Sequence, residues 1–203
     1  MRIEVRDALD EDMRHVRRLA LESCLHGVPY GRDITNRAVK ARARESVKQI
    51  LPDDITKILV AYDAEDGDKF MGYLILELDS IEGSTGERQS LIYDLAVLPK
   101  YWGTPAVGHL VREASRRTAQ AGLRYMIGEV SAHNDRTYLQ ALRLGFELER
   151  FQIVMSCSEE GPEPMPGRPE EEKHYAQSRK RKRSRKRVPG TWEEAREQRT
   201  PKD

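Results

Sequence analysis

Only two cysteines, Cys24 and Cys157, occur in the 203 residues, far apart and without a metal-ligand partner pattern. That excludes a disulfide scaffold and suits free thiols in a reducing compartment. No stretch approaches the roughly 18 apolar residues that a membrane helix requires. The opening MRIEVRDALDEDM has no apolar leader core either. A soluble intracellular protein is expected, cytoplasmic, or nuclear if the source is eukaryotic. Zinc, calcium and Walker-type spacings are all missing, so no metal site is expected. A dominant charge is missing too, since 35 Lys/Arg stand against 34 Asp/Glu.

The even balance hides an uneven distribution. Met1–Ser158 holds 22 basic and 24 acidic residues, whereas Glu159–Asp203 holds 13 basic and 10 acidic ones. The first part is therefore nearly neutral and has no global affinity for nucleic acid, and the basic signal belongs to the tail. Length suits one domain over residues 1–158 plus an appendage over 159–203. Glu159–Pro169 is rich in proline and glycine, and Arg179–Arg187 is a dense positive run. Such a segment cannot offset its ordering entropy by apolar burial, so a disordered C-terminal tail is expected.

Along the first part, Ile3 and Val5 alternate with charge like a short strand. Asp10 is placed to cap a helix from about Glu11 to Cys24, with Val16, Leu19 and Ala20 at helical spacing. A second helix, basic on its outer face, fits Thr35–Ile50 and stops before Pro52. Ile58–Tyr62 and Phe70–Leu78 read as an antiparallel hairpin, and Ser90–Leu98 as a third strand, nearly continuous in apolar residues and so buried on both faces. Thr104 and Pro105 then suit the cap and first position of a helix that Gly122 closes. Arg124–Val130 is a strand, Asn134-Asp135 opens a helix ending at Gly145, and Phe146–Met155 is a last strand. A helix crossing between strands implies a parallel pair within a mixed sheet.

The stretch Leu91–Leu110 runs from a buried strand through a turn into a helix whose first amides lack internal partners, an arrangement that favours an anion. Leu95-Ala-Val-Leu-Pro-Lys-Tyr-Trp-Gly-Thr-Pro-Ala-Val-Gly-His-Leu110, with Asn134 opening the next helix and Leu144-Gly-Phe146 at its end, resembles the GNAT acetyltransferase superfamily in element order, spacing and both motifs. The resemblance covers Met1–Ser158. It implies an α/β (α+β) fold with a mixed, mainly antiparallel sheet flanked by helices, and acetyl-CoA as co-substrate. It also implies transfer of the acetyl group to an amine of a small molecule or protein.

The resemblance assigns cofactor contacts to Leu95, Ala96 and Val97 on the strand, to Trp102, Gly103, Thr104, Ala106, Val107 and Gly108 in the loop, and to Asn134. Departures from the family pattern fall inside the loop. Trp102 stands where Gln or Arg is usual, Pro105 replaces the first glycine and Val107 the second, so that Gly108 or the charge of Arg124 or Lys100 would have to serve. The family's tyrosine acid is replaced by Ala141, with Tyr138 one turn earlier, either as a substitute acid or as a core residue. Asp94 and Tyr93 border the acetyl position. A carboxylate in an apolar strand is costly unless paired or used, so Asp94 is either the base or a partner of Arg112 or Arg124. His109 reads as a helix-surface or packing residue, and His133 as the maker of a local hydrogen bond.

The rival reading is a catalytically inactive GNAT-like module that binds nucleic acid through its tail. Arg179–Arg187 fits weak polyanion contact, a nuclear address or plain solubilisation. Only Tyr175 and Trp192 flank the run, so base stacking is not indicated. A monomer, or a homodimer paired through the last strand, is expected.

Overall fold

The structure, a computed structural model, describes residues 1–29, 32, 34–158 and 161–163. Alternation at the N-terminus builds strand β1 (Ile3–Asp7), with Ile3 and Val5 turned inward. It pairs antiparallel with β2 (Thr56–Asp63), and β2 with β3 (Lys69–Ile81) across the expected hairpin. β3 pairs antiparallel with β4 (Arg88–Val97), and β4 runs parallel to β5 (Met126–Gly128). Sheet order thus follows the chain, β1-β2-β3-β4-β5. The parallel pair is the one joined by a helical crossover, as its geometry demands.

Helices cover both faces. On one side, Met13, Val16, Leu19 and Ala20 of α1 (Met13–Ser23) and Val47 of α2 (Asn36–Gln49) pack on Ile58, Val60, Tyr73 and Ile75. On the other, Ala106, Leu110, Val111 and Ala114 of α3 (Ala106–Gln120) pack on Leu59, Met71, Leu74 and Leu76. Each fully buried aliphatic side chain of this kind stabilises the fold by about 1.5–3 kcal/mol. The last helix, α4 (Asp135–Arg143), begins at Asn134, whose side chain accepts from the Thr137 amide at 3.2 Å. No helix among the described residues is long and apolar enough to cross a membrane.

Several boundaries differ from the sequence expectation, and the strand expected over Arg124–Val130 shortens to Met126–Gly128. Asp10 makes no side-chain cap. Instead Asp10–Asp12 is a 3-10 turn, and buried Asp12 anchors the helix start by accepting from Arg6 (2.5 Å), the Leu9 amide (2.7 Å) and the Tyr62 hydroxyl. α3 begins one residue late, with Pro105 rather than Thr104 at its cap. The strand expected over Phe146–Met155 does not form; short strands β6 (Ser156–Ser158) and β7 (Gly161–Glu163) pair with each other instead. β5, at three residues, offers too short a ladder to recruit another strand. Phe146 joins the cluster beneath α3, while Arg150 is drawn to Glu82 at 2.5 Å. Two units are distinguished, Met1–Phe151 and Gln152–Asp203. The basic run Arg179–Arg187 lies outside the described residues.

Candidate functional site

The feature on which the site is built is an interrupted strand pair. β4 and β5 pair only at Ser90↔Met126, Leu91↔Ile127 and Ile92↔Gly128. Beyond Ile92, β4 continues to Val97 with no strand opposite on that side among the described residues. Alternate residues of a ladder turn both backbone groups the same way. Leu98 donates its amide to Met71 of β3 at 2.8 Å, so the groups of Leu95 and Val97 face the open edge. The side chains here serve packing, Ala96 under α1 and Leu95 and Val97 under α3. The backbone is what this edge presents.

A β-bulge fixes the one carboxylate. Asp94 lies opposite Ile75 and Ile92 opposite Leu76, leaving Tyr93 as the extra residue. Ile92 packs on the α3 side, and the extra residue turns Asp94 to the α1 side with Tyr73 and Ala96. There Tyr73, wholly buried, donates its hydroxyl to Asp94 Oδ2 at 2.5 Å. Burial pushes the Asp94 carboxyl above the usual carboxylate range, and bonds from Tyr73 and the Leu95 amide reverse this only in part. Burial and the Asp94 charge push the Tyr73 phenol up, while a contact with Ser23 at the end of α1 lowers it. The salt bridge of Asp94 to Arg112 or Arg124 does not form among the described residues; Arg124 stacks on Tyr125 instead. Tyr93 itself is 57% exposed and makes no side-chain hydrogen bond among the described residues.

After Val97 the chain turns through Pro99–Tyr101 into the loop. Gly103, at φ 86, adopts a left-handed conformation that other residues resist, and open space surrounds it. Thr104 donates its hydroxyl to Tyr101 O at 2.7 Å. The first bond of the helix runs from the His109 amide to Pro105, so Val107 and Gly108 precede it with amides that have no backbone partner among the described residues. Ala106 is buried, Gly108 faces Leu144, and His109 is half-buried.

Trp102 occupies the corner. Its indole donates to Val97 O at 2.8 Å, and the Arg136 guanidinium lies over its ring at 3.9 Å. The same side of the gap is tied elsewhere by Ser131, whose hydroxyl donates to Gly27 O at 2.8 Å. Between Ser131 and Arg136 in the sequence, His133 holds its Nδ1 buried with no partner among the described residues. The local hydrogen bond expected of His133 is therefore missing at that nitrogen. Tyr138 is 37% exposed on α4, about 200° around the helix from Arg136.

Tyr73, Arg136 and Ser131 were not singled out by sequence. Tyr73 carries a legible signal, a hydroxyl within the apolar run Phe70–Leu76. Arg136 carries none, because its meeting with Trp102 depends on how α4 docks.

The sequence matches no protein-family model and no curated protein. Solved structures do match. A Pyrococcus furiosus protein assigned as an acetyl transferase superposes with TM-score 0.63 at 17% identity, over 76% of this chain and 99% of that one. AAC(6')-Iy, bound to a CoA–acetylneamine bisubstrate analogue, gives 0.55 at 19% identity over 78% and 100%. A ribosomal-protein-alanine N-acetyltransferase from Brucella melitensis biovar Abortus gives 0.55 at 12% identity over 77% and 99%.

Proposed function

From its GNAT acetyltransferase fold, we propose that this chain is an N-acetyltransferase that uses acetyl-CoA. The observation that carries this reading is the edge of β4 from Tyr93 to Val97, which no strand among the described residues covers once β5 ends after Gly128. Acetyl-CoA supplies an activated thioester, whose carbonyl carbon an uncharged amine attacks. The outward Leu95 carbonyl and Val97 amide are placed to hold an extended amide-bearing arm, as an absent strand would be held. Gly103, Val107 and Gly108 offer amides, and α3 its positive end, to a pyrophosphate, while Thr104 and Ala106 shape the loop with their amides bonded to Tyr101 O and Thr104 Oγ1. Asn134 caps the start of α4.

Asp94 is the candidate base. It sits on the acceptor side of the sheet beneath α1, oriented by Tyr73. Its raised pKa brings its proton affinity closer to that of a group working near neutrality. Tyr138 is the candidate to return a proton to the leaving sulfur, and Tyr93 lines the mouth.

One observation favours the inactive-module reading instead. The Trp102 indole already occupies the Val97 carbonyl that a ligand arm needs. Calorimetry with acetyl-CoA decides between them. A dissociation constant in the micromolar range, with acetyl transfer to a primary amine seen by mass spectrometry, supports the enzyme. No detectable heat at millimolar ligand overturns it.

A further inference from the structure

Charge within Met1–Ser158 is strongly segregated. α1 and α2 together carry eight Lys/Arg against two glutamates, a net of +6. The remainder of that stretch carries 14 basic and 22 acidic residues. Arg17, Arg18, Arg37, Lys40, Arg42, Arg44 and Lys48 are all exposed. Only Arg18 and Lys48 are ion-paired among the described residues, to Glu22 and Glu45. Between the helices lies an open trough of about 380 Å³ with Leu21 as its apolar patch and Arg18, Lys40 and Arg44 around it. Glu22 also lines it, and α1, which carries Arg18, Leu21 and Glu22, packs over the buried Tyr73 that donates to Asp94.

We propose that the α1–α2 trough is the acceptor-docking site, and that it takes an acidic peptide segment bearing the amine to be acetylated. This rests on the acetyltransferase reading and adds the substrate class. Three observations select the occupant. The net positive field concentrates anions over α1 and α2, on the side of the sheet where Tyr73 and Asp94 lie, and repels polycations such as aminoglycosides, the ligand class of AAC(6')-Iy. The trough is lined by exposed or half-exposed side chains, which suits a chain laid across it better than an enclosed small molecule. Neither helix carries Phe, Tyr or Trp, so there is no stacking platform for nucleic-acid bases.

In the transfer step, the amine nitrogen forms a bond to the acetyl carbon and the carbon–sulfur bond breaks. The sulfur leaves as thiolate with the bonding pair, and the amine proton passes to Asp94.

The test uses the full chain and fluorescent peptides with one lysine flanked by glutamates or, as control, by lysines. Anisotropy reads binding without requiring catalysis, so it separates this proposal from the activity. The acidic peptide should bind more tightly than the basic one and weaken from 50 to 300 mM salt. Lys40→Glu with Arg44→Glu should weaken it about tenfold, with acetyl-CoA affinity unchanged. If acetyl-CoA fails to bind but the peptide result holds, the trough stands and the enzyme reading falls. Equal binding of both peptides, tighter binding of duplex DNA or single-stranded RNA, or indifference to the double reversal overturns the proposal.

Discussion

At the scale of single residues, Asp94 sets function against stability. Its carboxyl is raised by burial, so the folded chain binds a proton more readily than the unfolded one. Ionising it therefore costs stability as pH rises from the unfolded value near 4 through the folded value, and nothing below both. Asp94→Asn keeps an acceptor for Tyr73 and removes the charge. Thermal melts should show the variant more stable than wild type at pH 8 and equal to it at pH 3. Its kcat should fall about 10²- to 10⁴-fold, the ordinary contribution of a general base. Wild-type kcat/KM should rise with pH through the raised value. A flat profile would remove Asp94 from proton transfer. Trp102 offers a second test at this scale. Trp102→Phe keeps a ring beneath Arg136 and deletes the donor that holds Val97 O. Since a hydrogen bond contributes a net of about 0.5–1.5 kcal/mol, acetyl-CoA should bind about 2- to 10-fold tighter by calorimetry. Weaker binding would show that the indole N–H serves the ligand rather than competing with it.

Among elements, the site depends on how closely β3 and β4 approach just before the edge opens. Gly72 lies opposite Val97. A Cβ there would fall 2.5 Å from Ala96 O and 2.9 Å from Val97 Cα, both backbone atoms that cannot swing aside. Gly72→Ala must therefore push the strands apart, at about 1–3 kcal/mol of stability. Because the displaced residues are the ones that present the open edge, acetyl-CoA affinity should fall along with the midpoint of urea unfolding. A stability loss with unchanged affinity would show that the edge is not the cofactor surface. The bulge at Tyr93 belongs to this scale as well. One inserted residue moves Asp94 from the α3 face to the α1 face, and strand alternation alone would have placed it on the wrong side.

For the whole molecule, the near-zero net charge conceals two separate positive regions, the α1–α2 face and the run Arg179–Arg187. Both act on polyanions through a screened, additive field. Deleting Ser178–Asp203 should lower the salt needed to elute the chain from heparin, and adding Lys40→Glu and Arg44→Glu should lower it again. Complete loss of retention on truncation alone would show that the helical face contributes no usable field.

Local chemistry determined much of this molecule in advance. The hairpin of β2 and β3, the apolar faces of α1 and α3, and the Asn134 and Thr35 caps follow from periodicity and from side chains that bond their own backbone, interactions a linear reading can reach. Asp94 was also legible, as a carboxylate with no cheap place in an apolar strand. Tertiary structure alone decided that β5 stops after three residues, that Asp94 meets Tyr73 rather than an arginine, that Trp102 closes on Val97 beneath Arg136, and that Phe146–Met155 does not extend the sheet. Each of these depends on contacts between segments distant in the chain, where register and docking angle outweigh local preference.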